Sequence, residues 1–268
     1  MVKWNHLILE VIAMVPHDDL RKFAIEISEN LLKIRDAFLP YQQFQESLVS
    51  AISNLKFPKI EFPEFEIDWE RIESLIKYNS SHGWTLSGEM DTNFYLDQAL
   101  LGLEQVMIDA LFFKYFESDS KKNYYSTKST IIGEIDKQWK SVLIDCFELY
   151  EQDKYRVIIP MLISIIEGQV SGIAKSPEVG TRLLRVWRKQ ITSQEERMMI
   201  IVSYSLNEFL ASKIFVRREF HEERGTTINR NWVLHGRDNP EYWTRVDALK
   251  LINVISTLQY IKEFNSVE

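Results

Sequence analysis

Residues 155–174 read YRVIIPMLISIIEGQVSGIA, and apolar side chains lie on nearly every side of this stretch when it is drawn as a helix. A helix that is apolar all round is buried by other helices, so these residues predict the central helix of a bundle. The rest of the chain agrees with this prediction, because its 268 residues include only 9 Gly and 7 Pro. Sandwiches, barrels and doubly wound sheets need many turns, and turns consume these residues. The sequence therefore predicts an all-α protein.

The composition narrows the class of protein further. Hydrophobic residues make up 45% of the chain, which is enough for a sizeable core, and the single cysteine, Cys146, allows neither an internal disulfide nor a cysteine-based zinc site. The longest predominantly apolar run, Val157–Ile166, contains Pro160 and Ser164 and is too short to span a bilayer. Residues 1–10 include polar side chains where a signal peptide is uniformly apolar. We therefore expect a cytoplasmic protein that does not bind a membrane.

Hydrophobic periodicity and chain breakers divide the sequence into helices. In the first part of the chain, the pattern predicts helices over residues 18–39, 41–55 and 68–78, with an extended connector over 56–67. Further along, it predicts helices over 91–116, 131–152, 155–174, 177–190, 193–223 and 228–234, and a last helix that begins at Asp238 or Asn239. Residues 117–128 are predicted to form a loop and residues 224–227 a turn. Ser193 and Glu196 have the spacing of a capping box.

The charge is distributed unevenly along the chain. The formal net charge is −7, but residues 175–245 contain 13 Lys and Arg against 9 Asp and Glu, while the remaining residues contain 19 against 30. Such an asymmetry is expected when one part of a protein binds a polyanion, and charged helix faces alone also produce it. A boundary near residues 80–90 divides the chain into an acidic helical N-terminal region, 1–88, and a helical bundle, 89–268.

One short segment of the basic part contains residue types suited to the cleavage of a phosphodiester. Residues 230–236 read RNWVLHG, with Arg230 and Asn231 at the start and His235 near the end. An imidazole exchanges protons near neutral pH, and it can act as a base on a ribose 2′-hydroxyl or as an acid on the leaving 5′-oxygen. A guanidinium is always charged and can hold two phosphate oxygens while negative charge builds up. This chemistry needs no metal ion.

The spacing within this motif has a geometric consequence. Asn231 and His235 are four residues apart and share a face of a helix, so the amide could orient the imidazole or contact the substrate. Arg230 lies five residues before His235, about 140° away around an ideal helix. Either the helix is distorted, or a second copy of the chain across a two-fold axis supplies the missing group. In the alternative interpretation, Arg230 and His235 only cap a short surface helix.

The segment 230–236, followed by a long terminal helix, resembles the HEPN superfamily of helical ribonucleases, whose signature is R-[polar]-x-x-x-H. A second match is the apolar-Pro-apolar-Glu-Gly pattern of residues 155–168, which is similar to a helix of HEPN proteins of the abortive-infection type. The resemblance covers about residues 90–268. It implies a HEPN-like bundle and a metal-independent endoribonuclease without a cofactor. It also implies a homodimer in which both motifs face one cleft, with Arg230 and His235 as the catalytic pair and Asn231 at the variable polar position.

Glu167 is a further candidate for the catalytic site. It is a carboxylate in the most apolar predicted helix, where an unpaired charge is costly. We therefore expect it to pair with Arg230 or His235, unless it reaches solvent at the end of the helix near Gly168.

The remaining candidates are residues that could bind RNA. Arg237 and Arg224 flank the motif and are candidate phosphate contacts. A second set shares one predicted helix face and forms either a phosphate-binding stripe or an ordinary solvated face: Arg182, Arg185 and Lys189. Trp232 and Trp243 either stack on a base or belong to the core.

The sequence leaves three functions open. The first is a dimeric endoribonuclease that forms a cyclic phosphate and acts as a toxin in antiphage defence, with an antitoxin or a trigger protein as a partner. The second is a HEPN-like module that binds a nucleotide or RNA and regulates a partner without cutting. The third is a helical interaction protein in which Arg230 and His235 only cap and pack. The chain contains no GxxxxGK[ST], GxGxxG or GxSxG motif, so the chemistry of those motifs has no support.

Overall fold

The computed structural model describes residues 67–191 and 196–265, and every regular element within these two ranges is helical. The helices are α1 (Trp69–Ser81), α2 (Thr92–Tyr95), α3 (Gln105–Glu117), α4 (Lys122–Glu134), α5 (Lys137–Glu151), α6 (Tyr155–Ala174), α7 (Gly180–Ile191), α8 (Arg197–Phe209), α9 (Arg230–Leu234) and α10 (Arg245–Asn265). A π turn, Leu210–Ile214, continues α8, and short 3-10 turns lie at Gln98–Leu100, Asp119–Lys121 and Pro240–Tyr242. The predicted all-α class is therefore confirmed.

The helix α6 has the predicted bounds, and it lies at the centre of the bundle. It packs most extensively against α10 and also contacts α5, α7 and α9. Its buried residues are Ile158, Ile159, Leu162, Ile163, Ile165, Ile166, Gln169, Val170 and Ala174. By length and composition alone, α6 could cross a membrane. The expectation that no segment is long enough considered only the run 157–166, whereas the helix continues past it at both ends.

The helix α10 buries apolar residues together with four polar ones, Asn253, Ser256, Thr257 and Gln259, and its start differs from the prediction. Asn239 caps the 3-10 turn Pro240–Tyr242 rather than the last helix, since its side chain accepts the N–H of Glu241. The helix begins at Arg245, where Thr244 and Asp247 cap it reciprocally. The Thr244 N–H donates to Asp247 Oδ2 at 2.8 Å, and the Asp247 N–H donates to Thr244 Oγ1 at 3.1 Å.

Residues 67–88, which the sequence assigns to the N-terminal region, pack into the same core as the helices that follow. Asp68 caps α1 by accepting the Arg71 N–H, and α1 packs on α8. Trp84 and Leu86 belong to the main core cluster. The predicted helices over 18–39 and 41–55, and nearly all of the connector over 56–67, lie outside the described residues, as does Ser193 of the predicted capping box.

The middle of the bundle corrects three predictions. Residues 91–116 do not form one helix, because Asp91 and Asp97 each cap a separate short turn and Gly102 has a positive φ of 82° before α3 begins. Residues 117–128 are not a loop, since α4 occupies most of this run. The α4 helix buries only a narrow stripe, Tyr124, Thr127 and Ile131, so its sequence is polar. The predicted helix over 131–152 is interrupted at residues 135 and 136, where the backbone is extended.

The segment after α8 also differs from the prediction. The helix predicted to reach residue 223 ends with the π turn at Ile214, and residues 216–229 contain no regular helix. Side chains from the next element bind the carbonyls of this segment. Asn229 Nδ2 donates to the Val216 carbonyl at 2.9 Å, and Trp232 Nε1 donates to the Arg218 carbonyl at 3.4 Å. These hydrogen bonds hold the segment against α9, so it does not continue the helix α8.

Candidate active site

The R-N-x-x-x-H-G motif forms one short helix that is closed at both ends. The Asn229 side chain accepts the N–H groups of Asn231 and Trp232 at 3.1 and 3.2 Å, which caps the start of α9. At the other end, the His235 N–H donates to the Asn231 carbonyl at 3.1 Å. Gly236 follows with a φ of 65°, which a residue with a side chain adopts only at a cost. Arg230 is thus the first residue of α9, and His235 caps its last turn.

Arg230 is bound by Glu167 of α6. Its Nη2 donates to the two carboxylate oxygens of Glu167 at 2.9 and 3.2 Å, and its Nε donates at 3.3 Å. The Arg230 side chain is 20% exposed and that of Glu167 is 15% exposed, so the pair is shielded from bulk water. The sequence left Arg230 and His235 open as partners of Glu167, and the structure gives Arg230.

Glu167 also accepts a hydrogen bond from the start of α7. The Gly180 N–H donates to Glu167 Oε1 at 2.7 Å. One carboxylate therefore connects three elements that are distant in sequence: α6, which carries it, α7, which begins at Gly180, and α9, which begins at Arg230. These hydrogen bonds satisfy the charge that the sequence places in an apolar helix.

His235 has a different environment from Arg230. Its side chain is exposed, and no other side chain or backbone group in the described ranges hydrogen-bonds to its ring nitrogens. Its one ring contact is with Phe220, at 6.1 Å between centroids and an interplanar angle of 72°. Within a single chain, Arg230 contacts Glu167 and the His235 ring contacts Phe220. The two side chains therefore point to different neighbours, as their separation around the helix predicts.

Asn231 contacts Arg230 rather than the His235 ring. Its Oδ1 accepts a hydrogen bond from Arg230 Nη1 at 3.1 Å. The Arg230 guanidinium is consequently held by Glu167 on one side and by Asn231 on another. Asn231 and His235 share a helix face, but the hydrogen bond between them joins their backbones and not their side chains.

The two flanking arginines differ in their availability. Arg237 is exposed, and its guanidinium lies 5.3 Å from the centroid of the Phe220 ring. Arg224 is engaged, because its Nε donates to Asp238 Oδ1 at 2.8 Å and its Nη1 donates to the Gly225 carbonyl at 3.1 Å. Asp238 is almost fully buried and fixes this arginine in a structural ion pair.

Neither tryptophan near the motif offers a ring to a base. Trp232 and Trp243 are each 6% exposed. Trp232 Nε1 donates to the Arg218 carbonyl, and Trp243 Nε1 donates to Asp238 Oδ2 at 2.8 Å. Both side chains belong to the packing of this region, so the base-stacking interpretation is wrong for them.

The exposed face of α7 carries the predicted basic stripe. Its exposed residues include Arg182, Arg185 and Lys189, while Leu183, Leu184 and Trp187 are buried on the other face. Arg182 forms an ion pair with Glu178 at 3.2 Å. Because α7 begins at Gly180, which binds Glu167, the stripe starts close to the Glu167–Arg230 pair.

Phe220 is the residue of this region that sequence reasoning missed. The sequence predicts a helix over residues 193–223, and nothing in that prediction distinguishes Phe220 from the other residues of the helix. In the structure it lies in the irregular segment before α9 and is 51% exposed, beside His235 and Arg237. The one available signal was its position among charged residues, in the run Arg217–Arg224.

Comparisons with protein-family models, with curated proteins and with solved structures found no match to this chain. The resemblance to HEPN ribonucleases therefore rests on residues 155–168 and 230–236. These two segments are far apart in sequence, and in the structure they meet through Glu167 and Arg230.

Proposed function

We propose that this protein is a metal-independent endoribonuclease of the HEPN type that acts as a homodimer. One observation carries the proposal: the two segments with the resemblance meet in a bidentate Arg230–Glu167 pair, while His235, at the other end of the same five-residue helix, keeps its ring exposed. An anchored guanidinium and an exposed imidazole are suited to charge stabilisation and to proton transfer in RNA cleavage without a metal ion.

The proposed reaction is a transfer of the phosphodiester to the neighbouring 2′-oxygen. An imidazole takes the proton of the 2′-hydroxyl, and this oxygen attacks phosphorus while the bond from phosphorus to the 5′-oxygen breaks. A second imidazole donates a proton to the leaving 5′-oxygen. The products are a 2′,3′-cyclic phosphate and a 5′-hydroxyl end. Arg230 stabilises the negative charge on the non-bridging oxygens as the phosphorane forms.

A homodimer supplies both imidazoles and brings the arginine to them. Within one chain, Arg230 contacts α6 and His235 contacts Phe220. A two-fold axis that places two α9 helices at one cleft combines Arg230 of each copy with His235 of the other. In this arrangement Glu167 is a positioning residue, because it acts on the substrate through Arg230.

RNA outside the scissile bond binds to exposed cations. Arg237 is next to His235, and the α7 stripe of Arg182, Arg185 and Lys189 begins near Glu167. These side chains are suited to phosphate contacts, whose strength depends on salt. Arg224 is left out of this set, because its side chain is only 25% exposed and is bound to the buried Asp238.

The cleavage test compares the wild type with two substitutions in the presence of EDTA. We expect single-stranded RNA to be cut, with cyclic phosphate and 5′-hydroxyl ends, and we expect His235→Ala to lower the rate at least 100-fold. Arg230→Lys keeps a positive charge opposite Glu167 but loses the bidentate geometry, so we expect a loss of about 100-fold. Rates come from end-labelled oligonucleotides, and circular dichroism checks folding.

His221→Ala is the matched control for His235→Ala. His221 is also an exposed histidine, and it lies in the segment just before α9. Its removal is expected to leave the rate unchanged. Cleavage that persists undiminished in His235→Ala contradicts the proposal.

A mixing experiment tests the composite site. Wild-type and inactive His235→Ala proteins are combined in equal amounts and allowed to exchange subunits. If one cleft needs His235 of both copies, only dimers of two wild-type chains cut RNA, so random exchange lowers the activity of the mixture to about half its initial value. A site within a single subunit predicts no loss.

A non-catalytic module that binds RNA or a nucleotide is the second candidate. It is favoured by the Arg230–Glu167 pair, because the carboxylate neutralises the guanidinium that the reaction needs. This function predicts affinity for single-stranded RNA without any cleavage, and fluorescence anisotropy measures that affinity. A role as a toxin in cytoplasmic antiphage defence follows only from the resemblance, and it predicts growth arrest on expression of the wild type but not of His235→Ala.

A further inference from the structure

Phe220 presents an apolar ring to solvent in the middle of a charged segment. It is 51% exposed, and the exposed residues beside it in the chain include Arg217, Glu219 and His221. A single exposed apolar residue is common on protein surfaces. The position of this ring next to the proposed catalytic histidine is what makes it informative.

The backbone that leads to Phe220 is hydrogen-bonded to α9. This backbone is bound to α9 and its cap at two points, through the hydrogen bonds from Asn229 to the Val216 carbonyl and from Trp232 to the Arg218 carbonyl. Both anchoring side chains are buried. The chain two residues before Phe220 is therefore attached to the same short helix that carries His235, which keeps Phe220 close to that helix.

Two side chains of the motif region border the ring. The His235 ring is 6.1 Å away between centroids and inclined by 72°, and the Arg237 guanidinium lies over the Phe220 ring, 5.3 Å from its centroid. Because the guanidinium occupies one face of the ring, a nucleobase stacks on the other face while the cation attracts its phosphate. A base stacked on Phe220 brings its own ribose, or that of the adjoining nucleotide, next to the imidazole.

We infer that Phe220 is the stacking platform for one unpaired base of the substrate RNA, next to the bond on which His235 acts. The inference rests on the proposed function for the role of His235. Bases in a duplex have both faces covered by their neighbours, whereas an unpaired base has a face free for an aromatic side chain. The substrate is accordingly RNA that is single-stranded at the cleavage position.

The test measures binding and cleavage separately. Binding is measured in the His235→Ala protein, which leaves the RNA intact, by anisotropy of a labelled single-stranded RNA. Adding Phe220→Ala is expected to weaken binding about 10-fold, and adding Phe220→Trp is expected to preserve it. In cleavage assays with His235 present, Phe220→Ala is expected to raise KM by a similar factor.

Abasic oligonucleotides identify the base that stacks. An abasic nucleotide is placed at each position in turn, and at one position next to the cut it should weaken binding about 10-fold when Phe220 is present. The same abasic nucleotide should have no effect in Phe220→Ala, because the interaction is already lost. Phe264→Ala is the matched control, since Phe264 is 43% exposed and also contacts another ring edge-on, that of Tyr260, at the far end of α10.

The outcomes distinguish this inference from the proposed function. If the wild type and Phe220→Ala cut RNA with equal KM, the inference about Phe220 is wrong and the proposed ribonuclease function stands. Weaker binding in Phe220→Ala without any cleavage by the wild type supports the stacking platform in a binding module and overturns the ribonuclease. Absence of single-stranded RNA binding overturns both.

Discussion

Glu167 illustrates how a single residue determines the state of the candidate site. Its carboxylate accepts hydrogen bonds from the Arg230 guanidinium and from the Gly180 N–H. The first contact fixes the orientation of the guanidinium, and the second fixes the start of α7. The same negative charge also repels a phosphate that approaches Arg230. Orientation and repulsion act on different kinetic constants, which makes the role of Glu167 measurable.

For Glu167→Gln we expect kcat and KM for RNA cleavage to fall together. The amide keeps an acceptor for the Gly180 N–H but loses the charge-assisted pair, so Arg230 is less well oriented and kcat falls on the order of 10-fold. The phosphate is no longer repelled, so KM also falls. Steady-state kinetics on a defined oligonucleotide measures both constants.

Glu178→Gln is the control for this prediction. Glu178 pairs with Arg182 on the surface of α7, so its removal leaves the orientation of Arg230 unchanged. We expect kcat to stay at the wild-type value. A purely structural role for Glu167 predicts reduced stability of Glu167→Gln with an unchanged KM, and that result contradicts the positioning role.

At the scale of elements, the two glycines of α6 have different functions in packing. A Cβ atom at Gly168 would lie 2.7 Å from Trp139 Cζ2 of α5, whereas at Gly172 it would meet nothing within 4 Å. Gly168 thus allows the indole of Trp139 to pack directly on the α6 backbone. Gly172 is exposed and offers no comparable contact.

Alanine substitutions at these two positions should change stability in opposite directions. Gly168→Ala is expected to lower the free energy of unfolding by about 1–2 kcal/mol, because the overpacking against Trp139 exceeds the gain in helix propensity. Gly172→Ala is expected to raise it by about 0.5–1 kcal/mol, because only the propensity changes. Urea unfolding followed by circular dichroism measures both, and a gain in stability for Gly168→Ala would falsify the packing argument.

The contrast between α6 and α4 shows which elements the sequence could predict. The predicted bounds of α6 are correct. Apolar side chains lie on nearly every side of this helix, and its flanking residues, Lys154 and Lys175, have non-helical backbone angles. The sequence predicts a loop over residues 117–128, which include the first residues of α4, because this helix buries only three residues and exposes polar ones. Hydrophobic periodicity in the sequence reveals a helix that buries a wide apolar face, but it misses a helix that buries only a narrow stripe of residues.

The candidate site was predictable to a similar extent. The motif itself identifies Arg230 and His235, and the cost of an unpaired carboxylate predicts a partner for Glu167. The choice of Arg230 depends on how α9 packs against α6, 63 residues away in sequence, which local periodicity does not contain. Phe220 was missed for the same reason, since its exposure results from the hydrogen bonds between the segment before α9 and α9 itself.

At the scale of the whole molecule, a charged cluster joins the ends of three helices. Arg245, at the start of α10, donates to Glu117 Oε1 at 3.1 Å and to Asp153 Oδ1 at 2.9 Å. Glu117, at the end of α3, also accepts from the Tyr150 hydroxyl at 2.7 Å and pairs with Lys121 at 3.1 Å. Burial opposes the ionisation of Glu117, but these donors together outweigh it and lower its pKa.

The lowered pKa predicts how stability depends on pH. A carboxyl whose pKa is lower in the folded state contributes stability that is complete above its unfolded pKa, about 4.3, and that is lost as the pH falls through the folded pKa. Replacing Glu117 by Gln removes this contribution. In acid, we expect the slope of unfolding free energy against pH to be smaller in Glu117→Gln by up to about 1.4 kcal/mol per pH unit.

Urea titrations at a series of pH values from 7 down to 3 measure these slopes. Glu148→Gln is the matched control, because Glu148 is an exposed glutamate on α5, outside the cluster. Its slope should equal that of the wild type. Identical slopes for Glu117→Gln and the wild type would show that the cluster contributes no acid-sensitive stability.

The position of α6 in the chain has a consequence for biosynthesis. The ribosome releases α6 well before α10, the helix that covers it most extensively. During that interval the nascent chain exposes a segment that satisfies the length and hydropathy of a membrane span. Transiently exposed hydrophobic segments are prone to aggregation and are bound by chaperones, so folding of a newly made chain competes with aggregation until α10 docks. A nonsense mutation within α10 leaves the face of α6 that α10 covers permanently exposed, and its product is expected to be degraded or to aggregate.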